Sequence, residues 1–214
     1  MTLVSVDLPA PAELGRRWAV AAAVQAAVGF GTHCHAAGPV WHYDDGGGNW
    51  TDLHLLGGGR AVLLGNDHEY SETYFRGAAE YFDEEETDLL AGAPAWWDVL
   101  ANYADDDWVG FIYGFDGATW SRADHDLDDG FASIGLPAVS DELLIASVDE
   151  SATGLNTDAG LTHTTDPAAV LGASAAGAQL TREQAAGLLG AAGGDLDAAV
   201  AAARAFAPSL GSPA

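Results

Sequence analysis

The densest group of side chains that could transfer a proton or bind a cation is formed by Asp67, His68 and Glu69. A carboxylate beside an imidazole can fix the tautomer of the ring and raise its basicity, so this group predicts a general acid–base site. His54 could add a metal ligand if its strand lies next to this segment. The alternative is structural: Asp67 and Glu69 favour the start of a helix, and His68 is a partly buried hydrogen-bonding residue.

A second group of metal-ligand residue types, His33, Cys34 and His35, precedes His42 by a few residues. In an extended segment the two outer histidines share a face and Cys34 faces away, and no second ligand pair occurs at zinc-finger spacing. The pattern argues against a structural zinc. It leaves two alternatives: one histidine joins Asp or Glu ligands around a metal, or the histidines simply end strands. Our prediction is that the protein holds no resident metal and no cofactor.

Runs of acidic residues form the third candidate feature. Such runs are usually solvated surface, and the sharper interpretation is a surface that binds a basic protein. The stretch from Asp124 to Gly130 has the alternating acids of a calcium loop but lacks the closing glutamate, because residue 135 is glycine, so an EF-hand is not expected. The residues predicted to contact a partner are Glu84, Glu85, Glu86, Asp105, Asp106, Asp107, Trp120 and Arg122.

The composition places charge and aromatic bulk in the same part of the chain. The 214 residues include no lysine and carry a formal net charge of −25. Of the 32 acids, 21 lie between Trp41 and Gly130, together with most of the aromatic residues. A field of this sign repels nucleic-acid phosphates and anionic lipid, so neither is a predicted direct partner. A GC-rich genome or a salt-rich cytoplasm is the alternative origin of the acidity.

The elements that must position these residues follow from hydrophobic spacing and turn residues. The segment from Pro11 to Val28 predicts a helix, since proline suits a first turn and apolar residues recur at helical spacing. Ser71 suits an N-cap with an aromatic face behind it, and Asp116-Gly117 is a strong hairpin signal. Shorter helical pieces are predicted over residues 84–91 and 95–103. The predicted strands are Val40 to Tyr43, Asn49 to Leu56, Arg60 to Gly65, Trp108 to Phe115, Ala118 to Ala123 and Leu143 to Val148. Because both faces of the strand from Trp108 to Phe115 are apolar, it is predicted to be a central strand.

Together these elements predict the α+β fold class, with an antiparallel sheet and packed helices, for a main domain of residues 1–149. A polar, turn-rich stretch over residues 150–165 predicts a linker. Residues 166–207 are rich in alanine and predict a small module of three short helices, the second of them capped by Thr181.

The tail contains Leu180-Thr181-Arg182-Glu183-Gln184, Leu188-Leu189 and Gly194-Asp195-Leu196-Asp197-Ala198-Ala199-Val200. In these residues it resembles a ubiquitin-associated (UBA-like) three-helix module. The resemblance implies a small helical module that makes protein–protein contacts.

A few features bear on location. Cys34 is the only cysteine, so no internal disulfide can form, which fits a reducing cytosol. No basic-then-apolar leader is evident before Pro11, and the apolar run from Trp18 to Phe30 is too short to span a bilayer. The sequence therefore predicts a soluble, cytoplasmic protein.

The leading functional hypothesis is an acidic protein that binds a basic protein partner, as an inhibitor, an immunity-type protein or a nucleic-acid mimic does. Charge complementarity speeds the capture of a cationic surface and repels wrong partners. The alternative is a hydrolase or metal-dependent enzyme centred on Asp67, His68 and Glu69, with His54 and Arg122 nearby. An enzyme needs these side chains to converge on a pocket, whereas a binding protein needs the acids to share one surface.

Overall fold

The structure, a computed structural model, describes residues 2–104 and 107–207. Within them the chain forms one antiparallel sheet and a set of α-helices, which confirms the predicted α+β class. The strands are β1 Leu3–Val6, β2 Cys34–Ala37, β3 Val40–Asp44, β4 Trp50–Leu55, β5 Ala61–Asn66, β6 Phe111–Phe115 and β7 Trp120–Ala123. The helices are α1 Pro11–Ala27, α2 Gly77–Phe82, α3 Asp141–Asp158, α4 Pro167–Ala176, α5 Arg182–Leu189 and α6 Leu196–Ala205. The strands lie side by side in the order β1-β7-β6-β5-β4-β3-β2.

The chain divides into two compact units whose boundaries differ from the predicted ones. The first, which we call the sheet unit, comprises the chain up to Ala10 together with Tyr43–Gly135. The second, the helical unit, comprises Pro11–His42 and the chain from Leu136 onward. The difference arises because α1 packs against α3, α4 and α6, all of which follow it by more than a hundred residues.

The core of the sheet unit is built on β5 and β6, which pair in antiparallel register with Leu63 opposite Tyr113. All five residues of β6 are buried, and the strand lies between β5 and β7, so the prediction of a central strand is confirmed. The hairpin between β6 and β7 is confirmed as well. Asp116 holds it by accepting hydrogen bonds from the backbone N–H groups of Ala118 and Thr119, both at 2.9 Å.

A tryptophan covers one face of β6 at a glycine. Trp97, in a 3-10 turn over Ala95–Trp97, packs with Val62, Leu64 and Ile112 in the hydrophobic core. Its indole ring lies so close to Gly114 that a Cβ atom at this position would overlap it. The absence of a side chain at residue 114 is therefore what admits the ring to the core.

Helix α1 forms the centre of the helical unit, and every residue from Trp18 to Val24 is buried. The indole N–H of Trp18 donates to the backbone carbonyl of His42 at 3.1 Å. Arg17 pairs with both Glu13 and Asp141, with 2.8 Å between the charged atoms in each case. In the part of the chain that the structure describes, none of the helices is long and apolar enough to cross a membrane.

The three predicted tail helices are confirmed as α4, α5 and α6. Each starts at a side-chain cap: Asp166, Thr181 in a capping box with Gln184, and Asp195. The UBA-like character of this region stays a prediction.

A fully buried asparagine joins α3 to the chain around α5. The side-chain amide of Asn156 donates to the carbonyls of Ala152 at 2.8 Å and Leu189 at 2.7 Å. Its oxygen accepts a hydrogen bond from the backbone N–H of Ala192 at 3.1 Å. The side chain therefore satisfies backbone groups on both sides of this contact.

Two segments predicted as strand and linker belong to a single helix. Residues 143–148 lie in α3, so the prediction of a strand there is wrong. Ser140 caps the helix by accepting a hydrogen bond from the backbone N–H of Leu143, and the buried positions of α3 recur at every fourth residue. Residues 150–158 of the predicted linker form the second half of the same helix.

The helix predicted behind Ser71 starts later than expected. Residues 71–75 are irregular chain. The hydroxyl of Ser71 lies 3.0 Å from that of Thr73, and the Thr73 hydroxyl donates to the carbonyl of Gly110. Helix α2 begins only at Gly77, and the N-cap prediction for Ser71 is wrong. Residues 84–91, predicted as helix, are irregular chain and turn, and the piece over 95–103 contains only 3-10 turns.

Candidate functional site

Asp67 is buried directly after β5 and holds the turn that follows it. Its side chain is 1 % exposed, and its Oδ1 accepts hydrogen bonds from the backbone N–H groups of Glu69 and Tyr70, at 2.9 Å each. The other carboxylate oxygen, Oδ2, is buried and has no hydrogen-bond partner among the described residues. A carboxylate that binds the backbone two and three residues ahead stabilises a turn. The geometry therefore gives Asp67 a structural role.

His68 is oriented by an asparagine side chain rather than by a carboxylate. Its backbone N–H donates to Oδ1 of Asn49 at 3.0 Å, and its ring Nδ1 lies 2.8 Å from the same oxygen. Because this oxygen only accepts, Nδ1 carries the ring proton. The Asn49 amide in turn donates to Asp45 at 2.8 Å, while Glu69 is exposed. Among the residues described, no three or more His, Cys, Asp and Glu side chains are grouped so that they could hold a metal ion.

Replacing Asp67 with alanine is expected to lower the free energy of unfolding by about 2 kcal/mol, because the N–H groups of Glu69 and Tyr70 lose their acceptor. Asp67→Asn keeps an acceptor oxygen in the same place, so its expected loss is below about 1 kcal/mol. Urea unfolding of the natural protein and both variants measures these values. Equal losses in the two variants would contradict a turn-holding role.

His54, predicted to approach His68, takes part in a hydrogen-bond chain with Tyr103 and Asp52. The Tyr103 hydroxyl donates to Oδ2 of Asp52 at 2.7 Å, and its oxygen lies 2.6 Å from Nε2 of His54. Because the Tyr103 hydroxyl proton points to Asp52, the Tyr103 oxygen accepts a hydrogen bond from the Nε2–H of His54. Burial lowers the pKa of His54 more than Asp52 raises it. Burial and then Asp52 raise the pKa of Tyr103, so both His54 and Tyr103 are neutral at pH 7.

A groove of about 380 Å³ in the sheet unit brings together acids from three separate segments. We call it the acidic groove. Of its described lining residues six are acidic and none is lysine or arginine. The lining consists of Glu72, Tyr74, Glu84, Glu85, Glu86, Thr87, Asp88, Asp124, His125 and Leu127.

Backbone hydrogen bonds fix the walls of the acidic groove. The N–H of Thr87 donates to the carbonyl of Tyr74 at 2.8 Å, which joins the chain before α2 to the chain after it. The N–H of Glu72 donates to the carbonyl of Asp128 at 2.7 Å and so joins the third segment. The Glu72 carboxylate adds to the second connection by accepting a hydrogen bond from the backbone N–H of Asp128 at 3.3 Å.

Arg122 and Trp120, both predicted to bind a partner, are engaged within the sheet unit. The Arg122 guanidinium donates to the carbonyls of Ala123 and His125 at 3.0 and 3.1 Å. Burial, followed by the charge of Arg122, lowers the pKa of His125, so this imidazole is neutral at pH 7 and does not offset the acids of the groove. Trp120 is 2 % exposed and donates its indole N–H to the carbonyl of Pro9, which makes it a core residue.

The predicted acidic binding residues do not all lie together. Residues 84–86 line the acidic groove. Asp107 accepts a hydrogen bond from the backbone N–H of Ala104 at 2.8 Å and lines a different cavity, of about 280 Å³. Asp105 and Asp106 lie outside the described residues.

Four aromatic rings form a second surface feature, which we call the aromatic cluster: Tyr74, Tyr81, Phe82 and Trp108. The Phe82 ring centroid lies 4.7 Å from that of Trp108, 5.0 Å from that of Tyr81 and 5.6 Å from that of Tyr74. In spite of these contacts Tyr81 is 71 % exposed and Phe82 is 46 % exposed. Since Tyr74 also lines the acidic groove, the two features are continuous.

Both ends of α2 have an unusual backbone conformation. Arg76 before the helix has φ 50° and Asp83 after it has φ 57°, values that favour glycine. Non-glycine residues in such conformations cost on the order of 1 kcal/mol each and concentrate at functional sites. The strained residues therefore flank the same short helix that carries Tyr81 and Phe82.

Comparison with protein-family models, with curated proteins and with solved structures finds no match for this chain. Function is therefore inferred from the geometry and chemistry of the acidic groove and the aromatic cluster.

Proposed function

We propose that the protein is an acidic, cytoplasmic binding protein that recognises a basic protein partner through the acidic groove. One observation carries the proposal: six carboxylates from three chain segments line one groove, with no basic residue among the described lining. The neutral state of His125 supports it, because no positive charge from that ring reduces the field. Inhibition, immunity and nucleic-acid mimicry are the roles that such recognition serves.

The physical basis is that acids act together when they face one cavity. A single exposed ion pair contributes only about 0.2–1 kcal/mol, because water and salt screen it. Several carboxylates around one groove add their fields, which steers a cationic surface toward it and speeds association. The alternative of an enzyme centred on Asp67, His68 and Glu69 has no comparable support, since the Asp67 carboxylate holds a turn and the His68 ring is hydrogen-bonded to Asn49.

The test compares two variants with the same change in net charge. The groove variant is Glu84→Gln with Glu85→Gln and Glu86→Gln, and the control variant is Asp149→Asn with Glu150→Gln and Asp158→Asn on the exposed side of α3. A fluorescent decalysine peptide serves as the probe, and its affinity is measured by anisotropy at low and high salt.

The natural protein is expected to bind the peptide at low salt and to release it at high salt. The groove variant is expected to bind at least about tenfold more weakly, and the control variant to change by less than about twofold. Equal weakening in both variants would mean that only net charge matters. That result, or the absence of binding by the natural protein, would overturn the proposal.

A further inference from the structure

We propose that the cationic partner of this site is recognised through arginine side chains, and that the aromatic cluster receives their guanidinium groups. This inference rests on the proposed function and adds the chemical identity of the cation. It starts from exposure: Tyr81 and Phe82 leave large apolar ring surfaces in water, at 71 % and 46 % exposure. Contiguous exposed aromatic surface of this kind marks interaction sites.

The position of the cluster favours a cationic ligand over an apolar one. Tyr74 belongs both to the cluster and to the wall of the acidic groove. Asp83 and Glu84 follow Phe82 directly in the sequence, and both are exposed. A side chain placed on the rings is therefore within the field of the groove acids, which complements a positive charge and repels a negative one.

Two properties of the cluster favour arginine over lysine. The arginine guanidinium is planar and weakly hydrated, so it can stack on an aromatic face while it donates to carboxylates in bidentate fashion. The lysine ammonium, in contrast, is a strongly hydrated point charge. Aromatic faces next to acids offer both contacts at once. The protein uses the same contact internally, since the Arg76 guanidinium lies 4.8 Å from the centroid of the Phe75 ring.

The arrangement of the rings also disfavours a methylated ammonium ligand. Such ligands are held inside cages in which aromatic rings stand apart around a cavity. In this cluster Phe82 contacts Trp108 and Tyr81 with centroids 4.7 and 5.0 Å apart, and Tyr81 lies 5.0 Å from Trp108. The three rings fill the space between themselves, so they offer an outer surface for stacking instead of an enclosed cage.

The test compares decaarginine and decalysine peptides of equal length and charge against the natural protein, at several salt concentrations. Decaarginine is expected to bind about fivefold more tightly, and the preference is expected to persist at high salt because stacking is less screened than charge. In the variant with Tyr81→Ala and Phe82→Ala the ratio of the two affinities is expected to fall to about one, with decalysine binding little changed.

The matched control carries Tyr70→Ala and Phe30→Ala, which remove one exposed tyrosine and one exposed phenylalanine elsewhere. It is expected to keep the fivefold preference. Tyr81→Leu alone provides a second variant that retains apolar bulk on an exposed position and so preserves folding, and it is expected to reduce the preference.

The outcomes separate the two proposals. Equal binding of the two peptides by the natural protein, or an unchanged preference in both cluster variants, would overturn the arginine inference and leave the acidic groove as the binding site. No binding of either peptide would overturn the proposed function itself.

Discussion

Replacing Gly114 with alanine is expected to lower the free energy of unfolding by about 3 kcal/mol, the upper end of the usual cost of overpacking. The added methyl group would overlap the indole ring of Trp97. Both residues are in the packed interior of the sheet unit, where Trp97 is 2 % exposed, so the ring has little room to move away. Urea unfolding followed by tryptophan fluorescence measures the loss.

Two further variants show whether overlap with the Trp97 ring causes the loss of stability in Gly114→Ala. Gly57→Ala changes an exposed glycine where no atom of the described residues lies within 4 Å of the added Cβ, and we expect it to be nearly neutral. Trp97→Leu removes the part of the ring that would collide, so Gly114→Ala is expected to cost about 2 kcal/mol less in that background. An equal cost in both backgrounds would refute the explanation.

Replacing Asn156 with aspartate is expected to destabilise the helical unit by about 4 kcal/mol, although the two side chains have almost the same shape. The native amide donates to the carbonyls of Ala152 and Leu189. A carboxylate oxygen in its place would face these two carbonyl oxygens as a buried negative charge without a donor. Thermal and urea unfolding, monitored by circular dichroism of the helices, measure the effect.

Asn156→Ala is the comparison that isolates the charge. It removes the same hydrogen bonds, including the one from the N–H of Ala192, without placing a charge in the interior. We expect it to cost about 2 kcal/mol, the typical penalty for leaving buried backbone groups unpaired. If aspartate proved no worse than alanine, the orientation of the amide described above would be wrong.

Whether an element of the fold could be predicted depends on whether the residues that determine it lie close together in the sequence. The Asp116-Gly117 hairpin and the caps of α4, α5 and α6 were predictable, because each depends on residues a few positions apart. Helix α3 was mistaken for a strand over residues 143–148, since a short apolar run fits either structure. Its N-cap Ser140, with acids in the first turn, was the signal that could have decided the question.

The residues of the candidate site also divide into those that the local sequence predicts and those that depend on contacts between distant segments. Residues 84–86 were predicted as binding residues because their charge is visible in the sequence. Glu72 and Asp124 were not, because they reach the acidic groove only through pairing of distant backbone segments. The bond between His54 and Tyr103 joins residues 49 positions apart, and no local pattern marks it.

The discontinuity of the helical unit sets an order of events during synthesis. Helix α1 is synthesised before the helices that cover its apolar surface, which follow only after Leu136. At roughly 5–20 residues per second that surface waits on the order of ten seconds for its partners. The sheet unit is complete by Gly135 and can close first. The nascent chain therefore carries an uncovered, alanine-rich helix until synthesis passes Leu136, and the apolar surface of α1 stays exposed while the sheet unit forms.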